Sequence, residues 1–340
     1  MLLTVPDRTA ATTRKLVMGA SGYLGSHVTR QLVARGDDVH VWVRPTSKSR
    51  AFEALDVTVV RGELTDDAAL SAAMQGVATV FYCIVDARPS VHDKAELFRT
   101  NVEGLRHALD AAVAAKVGRF VFCSTIGTIA HTEGGELATE DMPHNWRHLG
   151  GPYIASRIDA EELVLRYHRE HGLDVVVLCP STTFGPDDHG PVAHGQMIKA
   201  AAAGKVPVYV RDQQMEVVGV EDAARAFLLA EERGRNGERY IISDRMMGSR
   251  ELLTVAANAV GRTPPRVGIP MPVMRAIGRL GDAIGAVTKR DLPLTTVSVR
   301  LMHYMSALDH SKAERELGWV PRPTAEAIEA HARFFRDTAG

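Results

Sequence analysis

The run Gly19-Ala20-Ser21-Gly22-Tyr23-Leu24-Gly25 joins the apolar stretch Lys15-Leu16-Val17-Met18 to a helical segment at 26–34. A first strand therefore turns straight into a first helix through glycines, and few folds accommodate that junction. Glycines at such places permit a tight turn, close approach of backbone to a pyrophosphate, and close packing of helix on strand. Helix N-terminal amides supply the positive end that holds phosphate oxygens. The spacing is G-x-x-G-x-x-G rather than G-x-G-x-x-G. The turn predicts a nucleotide site built by Gly19, Ser21, Gly22, Tyr23, Leu24 and Gly25; the competing reading is a glycine-rich turn that holds nothing.

The second strand candidate, at 38–43, runs into Arg44-Pro45-Thr46-Ser47-Lys48-Ser49-Arg50. In a dinucleotide fold an acidic side chain about 20 residues beyond the glycines receives the ribose hydroxyls of NAD. Arg44 stands in that neighbourhood with Lys48 close behind, and a guanidinium can form a forked pair with a 2′-phosphate. NADP (as NADPH) is expected in preference to NAD; the plainer alternative is a solvated basic loop.

Apolar runs at 16–18, 39–43, 57–60, 80–84, 120–123 and 175–178 alternate with helical patterns such as Val102, Leu105, Leu109, Ala112 and Val113. Such alternation implies an α/β chain with a doubly wound parallel sheet, a Rossmann fold, whose ligands bind outside the carboxyl ends of the strands. Past Pro180 the rhythm breaks: Gly and Pro accumulate, and helical stretches are separated by irregular links. Residues 14–180 are expected to form the dinucleotide-binding domain. Residues 181–340 are expected to form mainly a smaller substrate-binding lobe, with some segments returning to the first domain. At 340 residues and 45% hydrophobic content the chain can bury a core of that size.

A formal net charge of −1 gives no reason to expect nucleic acid or an anionic membrane as partner. Cys83, Cys123 and Cys179 lie far apart, an odd count without C-x-x-C, which argues against a disulfide framework and a zinc site. They read as small buried hydrophobes at strand ends, one of which can line the cofactor cleft. The histidines form no H-E-x-x-H, so no metal is expected. Residues up to about Thr13 read as a loose leader, and the stretch 270–287 as an amphipathic helix carrying Arg275, Arg279 and Asp282, not a span. A soluble cytoplasmic protein is expected.

The chemistry is expected at the ends of the fifth and sixth strands. Phe120-Val121-Phe122-Cys123-Ser124-Thr125 is a buried strand ending in two hydroxyls, and Tyr153-Ile154-Ala155-Ser156-Arg157 opens a helix. A tyrosine with a cation one turn along can serve as proton donor, and a neighbouring hydroxyl can orient a substrate oxygen. Met246, Met247, Met271, Met274, Ile277, Leu301, Met302 and Met305 offer adaptable apolar surface, which favours a bulky hydrophobic small molecule; they can equally be core.

With these pieces assembled, the chain resembles the extended short-chain dehydrogenase/reductases, in the NAD-dependent epimerase/dehydratase superfamily, from Lys15 to about Arg336. The resemblance rests on GASGYLG, VFYCIVDA at 80–87, TNVEG at 100–104, FVFCST at 120–125, YIASR at 153–157, CPSTTFGP at 179–186, GVEDAARA at 219–226 and SKAERELGW at 311–319. Within that family it is similar to the dihydroflavonol reductase and 3β-hydroxysteroid dehydrogenase branch, and also to bacterial hopanoid-associated sugar epimerases. The resemblance implies that Thr125 is the catalytic hydroxyl, with Ser124 as the alternative, and that Tyr153 is the catalytic tyrosine. It implies that Ile84 and Val85 pass under the cofactor, and that Pro180, Thr182 and Thr183 lie against the nicotinamide. A homodimer follows by the same analogy.

Two positions depart from the family pattern. Arg157 stands where Y-x-x-x-K places lysine, and Glu63, followed by Leu64, stands where an aspartate commonly faces the adenine. Arginine keeps the positive charge but is larger and planar and does not release its proton. Either Arg157 retains the electrostatic role with altered geometry, or it pairs with Glu161 along the helix and the site is weakened. The expected activity is NADP-dependent hydride transfer that reduces a carbonyl or oxidises a secondary alcohol. The alternatives are a nucleotide-sugar epimerase that retains NAD, and a catalytically weakened dinucleotide-binding protein.

Overall fold

All six apolar runs are strands, with ends within two residues of expectation: β1 (Lys15–Met18), β2 (Val39–Val43), β3 (Thr58–Arg61), β4 (Thr79–Tyr82), β5 (Arg119–Cys123) and β6 (Val175–Pro180). The computed structural model describes residues 14–338 apart from 48–49, 89–93, 192, 289–291, 293 and 302–305. The leader up to Thr13 lies outside the described residues, as do Lys48, Met302 and Met305.

The second half carries further short strands where irregular links were expected: β7 (Thr182–Phe184), β8 (Val208–Val210), β9 (Gln214–Gly219), β10 (Arg239–Ile242), β11 (Arg245–Gly248) and β12 (Val267–Ile269). Runs of three to six residues are too short to show a periodicity of their own. β10 joins the central sheet, whose order is β3-β2-β1-β4-β5-β6-β10 with every pair parallel. β7, β9 and β11 make a second sheet, and β8 pairs with β12.

Strands covered on both faces need apolar side chains on both, and the helices provide the cover. One face packs on α2 (Asp67–Met74), α4 (Gly104–Ala114) and α5 (Gly151–His171), with Leu70, Leu109 and Leu163 in its core. A π-helical turn, Arg99–Glu103, leads from α3 (Lys94–Phe98) into α4. The other face packs on α1 (Tyr23–Arg35), α7 (Val220–Arg233) and α11 (Ser311–Leu317), with Val28, Phe227 and Leu317 inside. A separate core holds Phe184 and Met247 among α6 (Ala193–Ala202), α8 (Ser249–Ala259) and α12 (Thr324–Asp337).

The amphipathic stretch forms α9 (Met271–Thr288), against which α10 (Thr296–Leu301) packs. Among the described residues no helix is long and apolar enough to cross a membrane. The sheet order reverses between β1 and β4, so a crevice opens at the carboxyl ends of those strands.

Candidate active site

The glycine turn shows why side chains are missing at its three glycines. Gly19 has φ +95°, and a Cβ there would lie 2.9 Å from the carbonyl carbon of Cys83. A Cβ on Gly25 would lie 2.3 Å from Gly19 O, so helix α1 rests directly on the turn. Gly22, the N-cap of α1, donates its N–H to Gly19 O at 2.9 Å, and Ser21 and Gly22 are exposed. The first turn of α1 has no acidic residue. Open amides at a helix start with no competing carboxylate fit a pyrophosphate.

The side chains of Tyr23 and Leu24 point elsewhere. The Tyr23 hydroxyl donates to Gly185 O at 2.6 Å, tying the turn to the segment after β6, and Leu24 packs into the core. What these two residues present to the turn is backbone. At the end of β2, Arg44 is exposed, and Arg61 shapes its loop by donating to the carbonyls of Arg44, Pro45 and Ser47 at 3.4, 3.3 and 3.2 Å. Glu63 is exposed, whereas Leu64 packs towards Gly104. Ile84 is half-buried and Val85 exposed beyond β4; Pro180 closes β6, and Thr182 and Thr183 belong to β7.

Thr125, Tyr153 and Arg157 come together beyond the end of β5. Pro152 in the first turn of α5 sets the helix start, and Tyr153 and Arg157 then project from one face, one turn apart. The Tyr153 phenol lies near Thr125 and feels the Arg157 charge. Burial raises its pKa above the usual 10, against the opposing pull of Arg157. Arg157 is 1% exposed, donates through Nη2 to Cys123 O, and lies over the Phe122 ring at 5.1 Å. Its Nε and Nη1 are buried without a hydrogen-bond partner. Unpartnered buried donors are rare and costly; these two leave donor capacity for a ligand, and with the glycine turn the residues present fit a dinucleotide.

Ser124 has a different fate from Thr125. Its hydroxyl donates to Glu161, which also accepts from Thr128 at 2.7 Å and pairs with Arg239 at 2.9 Å. Glu161 is therefore engaged with β10, and the alternative pairing with Arg157 at i,i+4 does not form. The reason is tertiary: Arg157 reaches a strand-end carbonyl and an aromatic face, while β10 brings a second guanidinium to Glu161. Thr125 caps the short turn Ile126–Thr128 by accepting from Gly127 N at 3.2 Å.

Asn101 lies within TNVEG. It is buried, exchanges hydrogen bonds with both the N–H and the carbonyl of Asp86, and donates to Ser156 Oγ at 3.0 Å. It thus pins the chain after β4 to α5. Around Tyr153 lies an apolar cluster of Trp146, Leu149, Ile154, Ile158 and Leu301. Met247 and Met274, by contrast, are buried. Among the described residues no group of metal-ligating side chains gathers.

A model of the NAD dependent epimerase/dehydratase family matches residues 15–243. The chain is 30% identical over 327 residues to sterol demethylase protein B of Methylococcus capsulatus, covering 95% of this chain and 98% of that protein. It is also 30% identical over 315 residues to the 4-hydroxy-2-methyl-3-oxo-4-farnesyl-3,4-dihydroquinoline-1-oxide ketoreductase of Stigmatella aurantiaca, covering 92% and 93%. The crystal structure of gox2253 superposes with a TM-score of 0.85 at 31% identity, over 96% of this chain and 98% of that one.

Proposed function

Because the chain belongs to the NAD dependent epimerase/dehydratase family, the extended short-chain dehydrogenase/reductases, we propose that it reduces the carbonyl of a bulky apolar small molecule with NADPH, or oxidises the matching alcohol. The observation that carries this reading is the meeting of Thr125, Tyr153 and Arg157 at one strand end beside the glycine turn. The bound coenzyme supplies the hydride. Thr125 holds the carbonyl oxygen, and Tyr153, kept protonated by burial, gives it a proton. Arg157 lies close enough for its positive charge to stabilise the resulting phenolate.

Three further points support the finer assignments. The exposed Arg44 at the end of β2 favours a 2′-phosphate. The apolar cluster beside Tyr153 favours an apolar substrate. Two relatives are named for a sterol and for a farnesylated quinoline, both bulky and apolar. In this reading residues 14–180 hold the coenzyme, and the later segments close over the substrate.

The test is reduced-nicotinamide absorbance followed across a panel of sterol-like, prenylated and sugar ketones with both coenzymes. NADPH consumption on apolar ketones is the expected result. Coenzyme binding with no consumption on any member would overturn the reading. A sample that carries retained NAD and interconverts nucleotide sugars, with no net coenzyme change, would assign it to epimerisation instead. Arg44→Asp is expected to weaken NADPH at least about tenfold more than NADH, the worth of one charge-assisted contact; equal losses would remove the phosphate contact.

A further inference from the structure

Cys83 and Cys123 lie 40 positions apart in the chain, and the sheet makes them neighbours. β4 and β5 pair in parallel with Tyr82 opposite Phe122, so the next residues, Cys83 and Cys123, continue the same register. Both side chains lie on the α1/α7 face, where they pack with the core that holds Phe81 and Val121. Neighbouring strands run about 4.8 Å apart, within the roughly 4.4–6.8 Å between Cα atoms that a disulfide spans.

The surroundings make the pair unequal. Both thiols are half-buried, whereas Cys179 is fully buried and pushed up to about 12 by burial. The neighbouring Cys83 thiol and the Arg157 charge, opposed by burial, hold the Cys123 thiol below its ordinary pKa. A half-buried cysteine with a guanidinium at hand is the reactive kind, and a second thiol beside it can resolve the oxidised form.

We propose that Cys83 and Cys123 form a peroxide-oxidisable dithiol site beneath the crevice. The Cys123 thiolate attacks hydrogen peroxide: an S–O bond forms, the O–O bond breaks, and hydroxide leaves to take up a proton as water. Cys83 then loses its proton and its sulfur attacks the Cys123 sulfenic acid; the S–S bond forms, the S–O bond breaks, and a second water departs. Two thiols and one peroxide give one disulfide and two waters.

The crosslink joins two parts of the site. The Cys83 carbonyl stands against Gly19 with no room for a methyl group, and the Cys123 carbonyl holds Arg157. A shift at either sulfur therefore reaches the glycine turn and the catalytic guanidinium, and oxidation is expected to lower dinucleotide binding until a dithiol reductant restores it.

The test exposes the full-length protein to hydrogen peroxide and counts thiols, followed by peptide mapping without reductant. Free thiols are expected to fall from the three of the chain to one, with a reducible peptide pair linking Cys83 to Cys123. Cys179 is expected to react at least about tenfold more slowly. Cys83→Ser should trap a sulfenic acid at Cys123 that dimedone captures, and Cys123→Ser should leave Cys83 unreacted on the same timescale. Oxidation of both thiols to sulfinic acids with no linked peptide, or oxidation of Cys179 at the same rate, would overturn the proposal. The readout is the covalent link itself, so it succeeds or fails independently of any coenzyme or substrate assignment.

Discussion

Two polar groupings lie a few residues apart beyond β5 and β6, and they are built on opposite terms. Below, Glu161 is 5% exposed, with Ser124, Thr128 and Arg239 around its carboxylate. Above, Arg157 is as deeply buried yet keeps two nitrogens without partners, and Thr125 and Tyr153 are only half-buried. A buried carboxylate ringed by donors rigidifies its surroundings. An unsatisfied grouping holds capacity for a ligand at a cost in stability. The contrast separates what supports the strand end from what is left free to react.

That contrast breaks most sharply at Tyr153. Tyr153→Phe is expected to lower turnover by about 10²–10⁴, the worth of a positioned acid, and to leave melting temperature and coenzyme affinity unchanged; turnover assays with thermal unfolding check it. Glu161→Ala should do the reverse in emphasis. Removing one partner of a buried ion pair strands the other, so roughly 3–5 kcal/mol of stability is expected to go, measured by denaturant unfolding.

The two adjacent hydroxyls give a finer division. Thr125→Ala is expected to cost about 10²–10³ in turnover, as for loss of one oxyanion donor, with little change in unfolding. Ser124→Ala is expected to keep turnover within a few-fold and to lose about 1–3 kcal/mol, because Glu161 is left short of a donor. Reversed outcomes would make Ser124 the catalytic hydroxyl. The smallest effect is on pH. The raised pKa of Tyr153 keeps its proton on through the neutral and mildly alkaline range. Carbonyl reduction should therefore stay level there, while alcohol oxidation, which needs the phenolate, should climb with pH; rate profiles in both directions check the sign.

The difference between the groupings also tracks what could be seen in the chain. Tyr153 and Arg157 stand one turn apart on one helix, so their meeting follows from helical spacing alone. Glu161 and Arg239 are separated by a strand, a lobe excursion and a helix, and nothing local links them. Local spacing likewise allows Glu161 to pair with Arg157, its neighbour along the helix, as one of two readings. Asn101 had a visible signal in TNVEG, but the Asp86 and Ser156 bonds that give it a purpose come from two other elements.

By itself the sequence determined the six parallel strands, the glycine turn and the tyrosine–cation pair. Each is written in local patterns of burial and backbone freedom, which neighbouring residues enforce. Only the tertiary structure decided that Ser124 is held by Glu161, that β10 closes the sheet and supplies Arg239, and that Cys83 and Cys123 stand side by side. Those facts depend on register between strands far apart in the chain, and register is set by the packing of the whole sheet against its helices.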